Sequence, residues 1–241
     1  GMGRALYHSQ PVFRAAFDRC AAALGDMLGR PLVDIVLAPE TTAAELAATA
    51  VAQPALYALQ WALIELWASW GVRPAAVLGH SIGEYAAAAA AGILEPEAGL
   101  RLAAERGRRM QQLPAGGAMA AVFASVDAVA PALGAAGGRV AVAAINETDA
   151  VTLSGEAPAL QAVLADLAGR GIEARPLDVS LAFHSPLMAP MIAGFEAALA
   201  DEPFRPARLP FYSTVSGDAW PARERLTAGY WAEQILAPVQ F

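Results

Sequence analysis

A short apolar run, Ala75 to Leu78, leads into Gly79-His80-Ser81-Ile82-Gly83, then Glu84-Tyr85, six alanines and Gly92. An apolar run that ends in G-x-S-x-G and opens a helix former predicts strand, sharp turn and helix. Such a turn holds its serine in a crowded backbone where only small neighbours fit, and it points the N-terminus of the next helix at the hydroxyl. The five-residue pattern alone is common. The strand before it and the helix after it are what make Ser81 a nucleophile candidate rather than a serine in a turn.

The rest of the chain must build a scaffold for that turn. Its 241 residues are 56% hydrophobic and 16% charged, enough for one medium α/β domain or a large subdomain with a smaller one. A net charge of −7 gives no reason to expect nucleic-acid binding. The single cysteine, Cys20, excludes an internal disulfide, and in "FDRCAAAL" it reads as a buried helix residue. No run reaches transmembrane length without charges or helix breakers and no signal peptide opens the chain, so no membrane is expected and the cytoplasm is the default location.

Apolar spacing predicts a helix from Pro11 to about Leu28 and a longer one from Pro54 to Trp70, buried on several sides. "AAVLG" then reads as a short buried strand, Glu84–Ala91 as helix, and Pro96 to about Gln112 as another helix whose start is favoured by Glu95 and Glu97. After "LPAGGAM" the pattern becomes strand 118–124, helix 126–133, strands 140–145 and 150–154, helix 158–168 and strand 172–179. That β-α-β-β-α-β order is ferredoxin-like. A helix from Met188 to Ala200 and one strand in "LPFYSTVSG" complete the reading.

A serine nucleophile needs a base. Of three histidines, His8 lies in the N-terminal segment and His80 adjoins Ser81, where successive elbow residues point apart; His184, in "AFHSPLM", is the base candidate. Its alternative is a satisfied core histidine. Asp127, Asp149, Asp166 and Asp178 are the carboxylates between Ser81 and His184, and none is well placed to complete a triad. A Ser-His dyad oriented by a backbone carbonyl is therefore the preferred arrangement. On the helix 96–112, Arg106 shares its face with Gly99, Leu102, Ala103, Met110 and Leu113, whereas Arg101, Glu105 and Arg108 lie on another, with Arg101 and Glu105 at pairing distance. A guanidinium in an apolar stripe is costly unless an anion meets it, and arginine matches a carboxylate with two hydrogen bonds. An internal salt bridge or snorkelling is the alternative.

At these residues the chain resembles the malonyl-CoA:acyl carrier protein acyltransferases, including the acyltransferase domains of polyketide synthases. The likeness runs in order through "GMGRALYHSQPVFRAAFDRCAAAL", "AQPALYALQWALIELWASWGVRPAAVLGHSIGEYAAA", "AGILEPEAGLRLAAERGRRMQ", "VSLAFHSPLM", "LPFYSTVSG" and "YWAEQILAPVQF". It implies an α/β fold: an α/β-hydrolase-like large subdomain, residues 1–114 and 180–241, with an inserted ferredoxin-like small subdomain, residues 115–179. It implies that Ser81 carries the acyl group, that His184 is its base and that Arg106 clamps the free carboxylate of malonyl or a substituted malonyl group. The Ile82 N–H becomes an oxyanion donor and Asn146 a residue near the cleft. Ile82 and Phe183 match the members that select malonyl over methylmalonyl, Phe183 filling the space of an α-methyl, while Leu181 departs from the histidine usual there. The family's opening strand and glutamine-containing loop are expected before Gly1. The segment whose carbonyl orients the histidine is expected after Phe241.

The implied partners are malonyl-CoA, an acyl carrier protein and neighbouring synthase domains, with no metal or redox cofactor, in polyketide or fatty-acid synthesis. Two other readings use the same residues. A serine hydrolase or thioesterase would pass the acyl group to water, and an inactive acyltransferase core would serve as a scaffold in a megasynthase.

Overall fold

The computed structural model describes residues 2–38 and 40–241. In chain order the elements are α1 (Arg4–Ser9), α2 (Pro11–Leu24), α3 (Leu32–Leu37), α4 (Ala43–Ala47), α5 (Thr49–Ser69), β1 (Val77–Leu78), α6 (Gly83–Ala90) and α7 (Pro96–Gln111). Then come β2 (Gly117–Val122), α8 (Val126–Ala135), β3 (Val140–Glu147), β4 (Ala150–Glu156), α9 (Ala157–Gly169) and β5 (Ala174–Pro176). A 3-10 turn (Pro186–Met191), α10 (Ile192–Ala198), β6 (Phe211–Tyr212), α11 (Ala228–Leu236) and β7 (Val239–Gln240) end the chain. Residues divide into two compact units. One takes the chain up to Gln112 with Leu199–Ser213 and Ala219–Thr227; the other takes Leu113–Ala198, Thr214–Asp218 and Ala228–Phe241.

The first unit is built on α2, α5 and α7. The apolar face of α2 buries Phe13, Phe17, Cys20 and Leu24, and α5 buries Tyr57, Ala58, Ala62 and Leu66. Each large apolar side chain removed from water contributes about 1.5–3 kcal/mol before entropy is charged against it. Small residues set the spacing. A Cβ at Gly99 would lie 2.5 Å from Tyr57 Oη, and one at Gly107 would lie 2.5 Å from the Thr49 carbonyl oxygen. The sheet of this unit is a single parallel pair, Val77 with Phe211 and Leu78 with Tyr212.

The second unit holds a five-stranded sheet in the order β5-β2-β4-β3-β7. Its first four strands pair antiparallel, the ferredoxin-like arrangement expected of β-α-β-β-α-β, and β7 adds a parallel edge beside β3. Val122, Val129, Val140, Leu153, Leu160, Val163 and Leu167 form its core under α8 and α9. The expected segment 115–179 falls inside this unit, which extends beyond it to Leu113–Ala198 and two further stretches. The class is α/β as the sequence implied.

Several local expectations change. α2 stops at Leu24 because Gly25 turns to φ +52°. α5 begins at Thr49, so Pro54 stands inside the helix rather than in its first turn. "AAVLG" yields only two strand residues, and it is not buried: Leu78 is 49% exposed. β5 shrinks to three residues, Ala174–Pro176, with the Leu177 N–H still donating to the Met119 carbonyl at 2.9 Å just past its end. The expected helix from Met188 is a 3-10 turn through Pro190 followed by α10. Glu105 pairs with Arg108 and Arg109 rather than with Arg101.

Candidate active site

Among the described residues only two non-glycine positions have positive φ, Ser81 at +52° and His184 at +55°. That region costs a side chain of this kind about 1–3 kcal/mol, and it persists only where the surroundings enforce it. The two residues chosen from sequence as nucleophile and base are therefore the two strained ones, one in each unit.

The serine turn is enforced by backbone packing. A Cβ at Gly79 would lie 2.2 Å from both the carbonyl carbon and oxygen of Gly83, so no other residue fits at 79. Gly83 is less constrained, since a Cβ there meets only the Gln60 side chain at 3.5 Å. Gly83, Glu84 and Tyr85 donate their N–H groups to the carbonyls of His80, Ser81 and Ile82. The Ile82 N–H makes no hydrogen bond among the described residues. It stands directly after the serine at the start of α6, where an oxyanion donor would be needed.

Arg106 lies against this turn. Its side chain is 2% exposed, on the buried face of α7 with Gly99, Leu102, Ala103 and Met110; Leu113 falls past the helix end and is half-buried. Nη2 donates to Ser81 Oγ at 3.3 Å and Nη1 donates to Gln53 Oε1 at 2.8 Å. The guanidinium also lies 5.9 Å from the centre of the Tyr85 ring, within cation–π range. Burial pulls its pKa below the usual value, and Tyr85 and the buried Glu84 oppose that pull without reversing it.

The histidine turn is enforced by side chains and distant backbone. His184 is 4% exposed, with Nδ1 3.0 Å from the Ala237 carbonyl oxygen. A carbonyl only accepts, so the ring donates here from a protonated Nδ1. Ser185 Oγ donates to the Ala182 carbonyl at 2.7 Å and accepts from the Leu187 N–H at 3.3 Å, closing the loop around His184. Gly117 admits the loop: a Cβ there would lie 2.5 Å from the Ala182 nitrogen. Ala237 follows α11, anchored by the fully buried Trp231 and Ile235, and β7 then pairs with β3. The orienting carbonyl therefore lies within the chain, not past Phe241. No aspartate is needed to hold the ring.

Phe183 is half-buried beside His184, and Leu181 is buried. Asn146 is exposed, at the β3 position where register with β4 shifts between Ile145 and Glu147, and its Nδ2 donates to Thr152 Oγ1 at 3.3 Å. A bulge of this kind re-aims a side chain. Ile82 is half-buried in the first unit. Gln53 and the Ala237 carbonyl went unremarked in the sequence. Gln53 carried a signal, a polar residue in an otherwise apolar stretch of helix. A main-chain carbonyl carries none. Among the described residues no group of three or more His, Cys, Asp or Glu could hold a metal ion, and no helix is long and apolar enough to cross a membrane.

In the first unit a strained serine follows a strand and a buried arginine touches its hydroxyl; in the second a strained histidine is held by a main-chain carbonyl. The model of the acyl transferase domain family matches residues 1–241, and the chain belongs to that family. It is 41% identical over its whole length to the polyketide synthase GfsB of Streptomyces halstedii, of which it spans 4%. Its fold superposes on the acyltransferase domain from the second module of the salinomycin polyketide synthase with a TM-score of 0.93 and 43% identity, covering all of this chain and 55% of that one. The malonyl CoA-acyl carrier protein transacylase of Coxiella burnetii superposes with a TM-score of 0.88 at 28% identity, covering 99% of this chain and 76% of that one. The chain thus spans a small part of the synthases it matches.

Proposed function

We propose that the chain transfers a malonyl group from coenzyme A, through an ester on Ser81, to the phosphopantetheine thiol of an acyl carrier protein within a cytoplasmic polyketide synthase. The observation that carries this reading is the buried Arg106 guanidinium in contact with Ser81 Oγ. In a malonyl thioester the carboxylate is separated from the reacting carbonyl by a single methylene. A cation adjoining the nucleophile therefore suits malonyl and wastes its charge on a neutral acyl group.

Ser81 Oγ attacks the thioester carbonyl as His184 Nε2 takes its proton. The Ile82 N–H receives the oxyanion. The C–S bond then breaks, His184 returns the proton to the sulfur, and coenzyme A leaves. The carrier thiol attacks the Ser81 ester in the same way, giving the malonyl thioester and restoring the serine. Helix α11 helps twice: the Ala237 carbonyl at its C-terminal end fixes the tautomer and favours the imidazolium that forms in each half-reaction. Phe183 and Ile82 exclude an α-methyl, worth about 1–3 kcal/mol of preference. Asn146 borders the cleft.

Incubation with malonyl-CoA is expected to add one malonyl increment to the Ser81 peptide by mass spectrometry, and Ser81→Ala to abolish it. Arg106→Ala should lower malonyl loading while acetyl loading holds or rises. A folded sample that takes no malonyl increment overturns the assignment; steady release of free malonate without a carrier points to a hydrolase.

A further inference from the structure

The arginine at the centre of this reading is itself held by a buried polar relay. Thr49, at the start of α5, and Gln53, one turn on, are both buried. Gln53 Nε2 donates to Thr49 Oγ1 at 2.8 Å and touches Met110 Sδ at 3.1 Å, while Gln53 Oε1 accepts from Arg106 Nη1 at 2.8 Å. An amide has one accepting and one donating end. Arginine can only donate, so the oxygen must face it; turned over, the amide would set N–H against N–H beside a buried charge. Met110 sulfur is too weak an acceptor to fix that choice alone, whereas the Thr49 hydroxyl is strong enough. Gly107 brings Thr49 into range, because only a glycine next to Arg106 lets the Thr49 backbone lie so close to α7.

We infer that Thr49 and Gln53 are positioning residues of the Arg106 clamp: the Thr49 hydroxyl sets the Gln53 amide, and the amide sets the angle at which Arg106 reaches Ser81. The relay itself contains no carboxylate, so it orients Arg106 without adding to the negative charge of the buried Glu84 that already acts on it. An internal salt bridge would orient it as well, but would cancel the charge a substrate carboxylate needs. The inference rests on the reading of Arg106 as a carboxylate clamp.

Thr49→Val keeps the size and removes the acceptor; Thr49→Ser restores it. With malonyl-CoA, Thr49→Val is expected to raise KM about fivefold with kcat within about twofold. Acetyl-CoA kinetics should stay unchanged, and Thr49→Ser should return the wild-type KM. Equal behaviour of the valine and serine variants, or a KM rise shared by both thioesters, overturns the relay. The Gln53 side-chain amide, followed by ¹⁵N NMR without substrate, tests it apart from the function. Its protons should exchange slowly in wild type and Thr49→Ser and markedly faster in Thr49→Val; equal exchange in all three overturns the inference. If instead wild type shows no preference for malonyl over acetyl while the NMR difference holds, the clamp reading fails and the orienting role of Thr49 stands.

Discussion

The serine turn and the histidine turn solve one problem by opposite means. Both hold a non-glycine residue at positive φ. The serine turn does so within a few residues of sequence, by pressing Gly79 onto the Gly83 carbonyl. The histidine turn relies on Ser185 nearby, but also on Gly117 and Ala237, 53 residues downstream of His184. A locally enforced strain leaves a written signature, two glycines around a serine. A strain enforced from a distance leaves none.

The sharpest way to break the comparison is Gly79→Ala. With no room for a Cβ, the elbow must open, and acylation of Ser81 by malonyl-CoA should fall by about 100-fold or more in a chain that still shows its far-ultraviolet dichroism. Unchanged loading would mean that the turn is not held by this contact. Ser185→Ala should have a smaller effect, loosening the loop around His184: a loss of about 1–2 kcal/mol in a denaturant melt and about tenfold in transfer rate. The histidine side would prove as local as the serine side if this variant matched the damage done at Gly79.

Gly83→Ala should barely register. It adds a methyl where only Gln60 is in reach, so activity should stay within about twofold and stability should hold or rise by up to ~1 kcal/mol. A large loss would place the steric demand on both glycines. The smallest expected effect is on the outer face of α7. Hydrogen bonds from Arg108 hold the Glu105 carboxyl below its usual pKa, burial opposes them, and Arg109 adds to them. A lowered folded pKa stabilises the chain above the unfolded value and is lost as pH falls through the lowered one. Glu105→Gln should therefore cost about 0.5 kcal/mol at pH 7 and nothing once the carboxyl is protonated, with no change in activity. Melts at both pH values check this, and they show whether the two faces of the helix carrying Arg106 are separable.

What sequence reading could reach follows the same division. The ferredoxin-like strand order was legible because alternation and turn residues recur within short windows. Ser81 was legible because sterics forced glycine, and Arg106 because helical spacing put a charge into an apolar face. Pro54 misled, since helix packing against α7 carries α5 back through it to Thr49. The strand before Ser81 was drawn too long and too deep, because an apolar run states a preference for burial and not what covers it. The partner of His184 was sought among side chains and then beyond the end of the chain, whereas it is a main-chain oxygen that any residue at position 237 would supply.

The interleaving of the two units bears on synthesis. A chain emerging from the ribosome completes Leu113–Ala198, and with it the whole predicted ferredoxin-like sheet, well before residues 228–241 arrive. During that interval His184 has been made without the carbonyl that assigns its proton. That segment lacks a directed base until α11 and β7 have been made and have docked. A chain interrupted between Ala198 and Ala237 would hold the nucleophile and the histidine but not the carbonyl that assigns the histidine's proton.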